Sequence, residues 1–275
     1  MTRSMPQRGL VEMTQKTGAF TRVAGLLALA ISILTSLAPT VIAAQTTPNP
    51  GYLVVVGKTT DRAKIASYAA ELPAIYASLD GYYLAIGAPG RGVTWLEGPW
   101  TDRSVIFAKF PTRAGADAFW WGDAYRAAIR KRDNAGVFSV VAIEGAGPTP
   151  FEGAGSGFLI VMTGSTGKGP ADQDASARAA ASLIDGVKSS GGKLVNTPSI
   201  GQFTPMEGDT VFDRFVVAAW PSLAARDAYL ASGDAAEAKR LRALAGISAV
   251  AAVNGVPRNQ APTAVNPNPT GVAPK

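Results

Sequence analysis

The sequence predicts an α+β protein built from two tandem ferredoxin-like units, each ordered strand-helix-strand-strand-helix-strand, packed sheet to sheet within one chain. Three observations carry this. A Glu-Gly corner, an apolar strand and an aromatic-Pro stop occur at 97–111 and again at 207–221. From that corner, 97–145 and 207–255 run in step at a constant offset of 110 without a gap. Pairs such as Pro111/Pro221, Asp117/Asp227, Arg132/Arg242, Gly136/Gly246 and Gly145/Gly255 are identical, and duplication is the economical explanation. Third, the strands are apolar on both faces. A lone sheet with one wet face would not need that, so each sheet must cover the other.

The elements follow in order. Residues 52–56 (YLVVV) form a β-branched run that ends at Gly57. Asp61 then caps a helical pattern through Ile65, Tyr68, Leu72, Ile75, Tyr76 and Leu79, with a kink expected at Pro73. Strands are predicted over 82–86 and 104–110, with an extended 93–96 leading to the Glu97-Gly98 corner. Thr112 caps a second helix, whose last turn carries Arg130, Lys131 and Arg132, where cations suit the macrodipole. Residues 137–143 close the unit. In the second unit the strands are predicted at 157–163, 193–197, 211–219 and 247–253. Its helices are predicted over 171–189 and from the Ser222 cap to 244.

Around these units the chain divides into a signal peptide (1–44), a linker (45–50), the first unit (51–147), a linker (148–156), the second unit (157–256) and a Pro-rich disordered tail (257–275). A basic lead, the apolar run 23–37 and small residues before the cut make a secretory signal. The start is Met1 or Met13, and cleavage follows Ala43 or Ala44. The run is short for a span, which needs about 20 apolar residues, and Pro39 breaks its end, so no stable membrane anchor is expected after cleavage. The protein is therefore expected to be exported, periplasmic or secreted.

Composition excludes several chemistries. There is no Cys and no His. Thiol nucleophiles, thiolate metal sites, histidine-based triads and the usual axial haem ligand are all missing. No metal and no cofactor are expected. The formal charge of +6 belongs mostly to the two ends, and the folded part carries about +1; no nucleic-acid partner is expected. The loop at 164–169 (GSTGKG) lacks phosphate-loop spacing.

The Tyr-rich first strand, Gly81 before the second, Leu96-Glu97-Gly98, Arg103, Phe107-x-x-Phe110-Pro111, then Ala118 and Tyr125 before Arg132, resemble domain-of-unknown-function family 1330, of the dimeric α+β barrel group. The resemblance covers roughly 51–145 well and 157–255 more weakly. It implies that two such units pair through their sheets, here as a pseudo-dimer within one chain that can be monomeric. It implies no settled activity; related barrels include cofactor-free oxygenases, haem-handling enzymes and small-molecule isomerases. In the second unit Tyr125 is matched by Ala235 and Arg103 has no partner in step, so the first unit is expected to carry any site.

Two sets of site residues follow. Glu97 with Arg103 is the catalytic candidate, because a desolvated carboxylate gains a raised pKa and serves as a base. A strand-end Glu tied to an Arg is the structural alternative. Tyr68, Trp95, Trp121 and Tyr125 are candidates to line an apolar pocket, against a plain packing role. The function expected is binding, or modest transformation, of a small apolar or aromatic ligand in a cleft near Glu97. The alternative is a non-enzymatic extracytoplasmic interaction module.

Overall fold

Strand β1 (Gly51–Thr59) is the centre of the first sheet, with β4 (Ser104–Phe110) and β5 (Gly136–Glu144) antiparallel on its two sides. Its residues alternate in destination. Tyr52, Val54 and Val56 face the second sheet, while Leu53 and Val55 face a helix layer. This is why the strand is apolar along its whole length. The computed structural model describes residues 48–165, 170–199 and 201–258. The expected signal peptide, most of the GSTGKG loop and most of the expected tail lie outside the described residues. Among the described residues no helix is long and apolar enough to cross a membrane.

The first sheet has the order β8-β5-β1-β4-β2, with β2 at Tyr82–Pro89 and β8 at Thr204–Glu207. The second has the order β3-β10-β6-β9-β7, formed by β3 (Gly92–Glu97), β6 (Gly157–Ser165), β7 (Lys193–Leu194), β9 (Arg214–Trp220) and β10 (Gly246–Asn254). Each unit thus lends one strand to the other sheet. β3 pairs antiparallel with β10, Glu97 opposite Val250 and Trp95 opposite Ala251. β8 pairs antiparallel with β5, Glu207 opposite Val140 and Pro205 opposite Val141. Both registers repeat at the offset of 110 seen in the sequence. The extended 93–96 segment thus joins the two sheets, since β3 also pairs in parallel with β2, Gly92 opposite Ala88 and Val93 opposite Pro89.

The sheets meet at both margins. Ala85 bridges Gly255 at one, and Gly145 bridges Asn196 at the other. The result is a curled, barrel-like body in which the two sheets face each other. Between them Tyr52 stacks on Phe107 at 5.1 Å, and Phe107 meets Phe158 edge-on at 5.5 Å. With Val217, Ala251 and their neighbours these rings fill the interior.

The lent strands explain the Glu-Gly corner. Gly208 has φ +70°, and a Cβ there would stand 2.3 Å from the Phe138 carbonyl oxygen. Gly98, at φ +93°, would place a Cβ 2.8 Å from that of Ala249. Only glycine permits both the turn and the approach of the other unit's closing strand.

The helices are more broken than their periodicity predicts. In the first unit the single kinked helix becomes α1 (Arg62–Ala69) and α2 (Leu72–Ala77), with Pro73 tolerated in the first turn of the latter. The second helix splits at Gly122 into α3 (Arg113–Trp121) and α4 (Asp123–Ile129), followed by a 3-10 turn at Arg130–Arg132. In the second unit α5 (Pro170–Ser189) is continuous over 20 residues, whereas α6 (Leu223–Leu230) and α7 (Gly233–Ala245) replace one long helix. The caps fall where predicted: Asp61 accepts from the Lys64 amide at 3.0 Å, Thr112 from Gly115 at 2.9 Å and Ser222 from Ala225 at 3.1 Å.

Candidate functional site

The sequence pairs Glu97 with Arg103, but the structure gives Glu97 a different partner. Because β3 lies in the second sheet, its terminal Glu97 reaches Arg242 at the end of α7. The guanidinium donates from Nε to Oε2 at 3.1 Å and from Nη2 to Oε1, and Ser248 Oγ donates to Oε2 at 2.9 Å. The pair is enclosed, with side chains 7% and 11% exposed for Arg242 and Glu97. The mirrored contact occurs at the other end. Arg132 forks onto Glu207, with Nη1 to Oε1 at 2.9 Å and Nη2 to Oε2. These cross-unit forks are bidentate and charge-assisted.

Arg103 is elsewhere. Its guanidinium lies 4.8 Å from the centre of the Trp100 ring, and its carbonyl accepts from Trp95 Nε1 at 2.8 Å. Trp95 meets Trp100 at 5.9 Å and packs against the core between the sheets. Trp121 is 60% exposed, with Arg126 over its ring at 5.7 Å. Of the four aromatic candidates, only Tyr68 and Tyr125 come together, their hydroxyls 2.9 Å apart.

Around that pair lies a cavity of about 440 Å³, on the helix-covered face of the first sheet. Val55, Ile86 and Ile106 form its floor and remain only half-buried. Ile65, Tyr68 and Leu72 from α1 and α2 form one wall, and Phe119, Trp120 and Tyr125 from α3 and α4 the other. The gap has a simple origin. Two short helices, broken near Ala70, cover this sheet face less completely than a continuous helix would. In the second unit the unbroken α5 brings Leu183 and Val187 onto the sheet, where they pack with Trp220 and Tyr229, stacked at 5.1 Å.

The cavity is polar at two places. At its exposed mouth stand Lys58, Arg62, Arg91 and Asp102, with Lys58 Nζ 2.6 Å from the Asp102 carboxylate. Deep inside, Tyr125 is buried and Tyr68 half-buried, and desolvation is the chief cause that raises both hydroxyl pKa values. They are neutral donors near pH 7, not phenolates. Arg132 lines the same wall, 5.2 Å from the centre of the Tyr68 ring. Burial pulls its pKa down, but the Glu207 hydrogen bond and the nearby tyrosines outweigh this and hold it raised. Trp120, 1% exposed, also lines the cavity, and its Nε1–H has no hydrogen-bond partner. Arg132, Trp120 and Phe138 also border a second, more polar recess beside Glu207.

Sequence reading missed the cavity roles of Trp120, Arg132 and the isoleucine floor. Trp120 sits in a helical aromatic cluster, and Arg132 reads as a solvated helix end. The available signal was Pro73 within the Tyr-bearing helix, which marks a break over an apolar sheet face. Among the described residues no group of three or more acidic side chains is placed to hold a metal.

Fold and cavity together define an intrachain α+β barrel with a ligand-sized hollow in the helix layer of the first unit. Residues 50–146 match the model of a family described as "Domain of unknown function (DUF1330)". No curated protein matches the chain. Solved structures similar to it include a protein of unknown function from Rhodopseudomonas palustris, at 19% identity, TM-score 0.30, covering 38% of this chain and 88% of that one. An anthrone oxidase-like protein is 13% identical, with TM-score 0.41 and coverage of 75% and 91%. A heme-binding protein from Thermus thermophilus is 12% identical, with TM-score 0.38 and coverage of 76% and 94%. These likenesses carry no argument about chemistry.

Proposed function

We propose that this is an exported protein whose first unit binds a small apolar or aromatic molecule in the cavity beneath α1 and α2. The observation that carries the proposal is the hollow itself. Interiors are close-packed, yet here about 440 Å³ stays open against half-buried Val55, Ile86 and Ile106. That volume lies within the range of small-molecule sites, about 300–1,000 Å³. We place the site at Tyr68 and Tyr125 rather than in a cleft beside Glu97, because Arg242 and Ser248 occupy both Glu97 oxygens. The second unit, read as a diverged copy, supplies the sheet that backs the first and the Glu207 that holds Arg132.

The test is native mass spectrometry of protein purified from its own host, beside the variant Ile106→Phe. The larger ring fills the floor of the cavity. A co-purifying small molecule is expected with the wild type and absent from the variant, whose thermal midpoint should stay within about 3 °C, since it overpacks an open space rather than a filled core. Wild-type protein that is empty, and gains no occupant when incubated with host extract, would favour the interaction module instead. N-terminal sequencing of the secreted protein tests export, with a start at residue 44 or 45 expected.

A further inference from the structure

The recess beside Glu207 holds about 510 Å³, also within the range of small-molecule sites, about 300–1,000 Å³. The duplication supplies a control for it. Arg132 forks onto Glu207 as Arg242 forks onto Glu97, so whatever the fork alone requires should recur at both ends. The recess residues do not recur. At the offset of 110, Trp121, Arg126, Asp133 and Asn134 are matched by Ala231, Ala236, Ala243 and Leu244. Arg130 is matched by Arg240, but Arg240 pairs with Glu237, and Ala127 stands where that acid would be. Ser248, the third donor to Glu97, is matched by Phe138. Glu207 is accordingly more open, 29% exposed against 11% for Glu97.

Trp121 is the most informative of these residues. It is 60% exposed and stands at the edge of a polar recess, where its ring meets whatever enters. Arg126 lies over that ring at 5.7 Å, yet most of the side chain still faces water. Around it Arg126 and Arg130 offer donors, Asp133 and Glu207 offer acceptors, and the Asn134 amide offers both. The Arg132 fork leaves lone pairs on the Glu207 carboxylate that can accept further hydrogen bonds. A ligand carboxylate would suit the arginines but would bring no proton to Asp133 or Glu207, and both would repel it. A ligand ammonium would have the reverse defect. A hydroxyl donates and accepts, so hydroxyls set around an apolar ring match every group present. We infer that the recess binds a neutral pyranose sugar. Its C–H face lies on the negative face of the Trp121 ring, and its hydroxyls reach Arg130, Asp133, Asn134 and Glu207.

Saturation-transfer NMR of the full chain tests this with the methyl pyranosides of glucose, galactose, mannose and N-acetylglucosamine. Each is titrated to about 50 mM, since a small ligand that stays partly in water binds weakly. At least one is expected to take up saturation on its ring C–H protons, those of one face ahead of the other. Trp121→Ala should weaken that sugar about tenfold, and Trp121→Phe, which keeps an aromatic face, should hold it within about threefold. Asp133→Ala, at another exposed position, should weaken it as well and serves if Trp121→Ala disturbs the fold. If the natural ligand is a glycan end and not a free sugar, a disaccharide ending in the same sugar should bind tighter, with the same loss in Trp121→Ala. No transfer to any of the four overturns the proposal, and so does transfer that Trp121→Ala and Asp133→Ala leave intact. Tighter binding of cyclohexanecarboxylate, which has an apolar ring and a charge but no hydroxyl array, also overturns it. The co-purification test reads the cavity separately, so either reading can fail without the other.

Discussion

Arg242 and Glu97 show why a residue's partner cannot be inferred from its neighbours in sequence. They are 145 positions apart, and both are nearly enclosed. Removing one partner of such a pair leaves a buried charge uncompensated, at about 3–5 kcal/mol. Arg242→Ala should therefore lower unfolding free energy by roughly 3 kcal/mol, read by urea denaturation. Arg132→Ala should cost less, because Glu207 is 29% exposed against 11% for Glu97. A result in the opposite order would mean that the forks contribute through packing, not charge. Tyr52 offers a second test. Burial is the main cause that pushes its pKa up to about 12 from an ordinary 10. A raised folded-state pKa gives stability that is intact below pH 10 and lost as pH rises toward 12. Across that window each such tyrosine adds up to about 1.4 kcal/mol of loss per pH unit. Tyr52→Phe should flatten the decline in denaturation midpoint between pH 10 and 11, at the cost of the Thr149 hydrogen bond.

At the scale of elements, most of the framework was legible. The caps at Asp61, Thr112 and Ser222 hold, and the strand centres fall where the β-branched runs lie. The helix breaks at Gly122 and near Ala231 were missed because apolar spacing continues across them. Strand β7 shrinks to Lys193–Leu194 where 193–197 was expected, since Asn196 leaves the ladder to bond the Phe215 carbonyl and the Val217 amide. Strand β9 begins at Arg214 rather than 211, as Val211 stays outside the ladder and is 62% exposed. The broken first helix matters most for function: two short pieces leave the sheet face partly uncovered, and the cavity is what remains.

For the whole molecule, the second sheet is part of the first unit's stability. Tyr52, Val54, Val56, Val105 and Phe107 pack on side chains from the second unit. Residues 48–147 expressed alone would expose that face and would lack β8 to cover β5. They should form a dimer through the freed sheet, or fail to stay soluble, by light scattering on a size-exclusion column. A stable, soluble monomer would show that the interface between the sheets is dispensable.

The sequence by itself determined the two-unit architecture, because apolar strands on both faces demand cover and the offset of 110 supplies a matching sheet. It also determined which chemistries are excluded, since missing Cys and His remove their reactions wherever the chain folds. The tertiary structure alone decided that β3 and β8 exchange sheets, and hence that Glu97 binds Arg242 while Arg103 lies on Trp100. It alone decided that Tyr68 and Tyr125 share a cavity that Trp95 and Trp121 do not enter. The physical reason is common to both. Local propensity and periodicity set which residues face inward, but the partner met there depends on which distant strand arrives, and a hollow is an absence of atoms that no residue encodes.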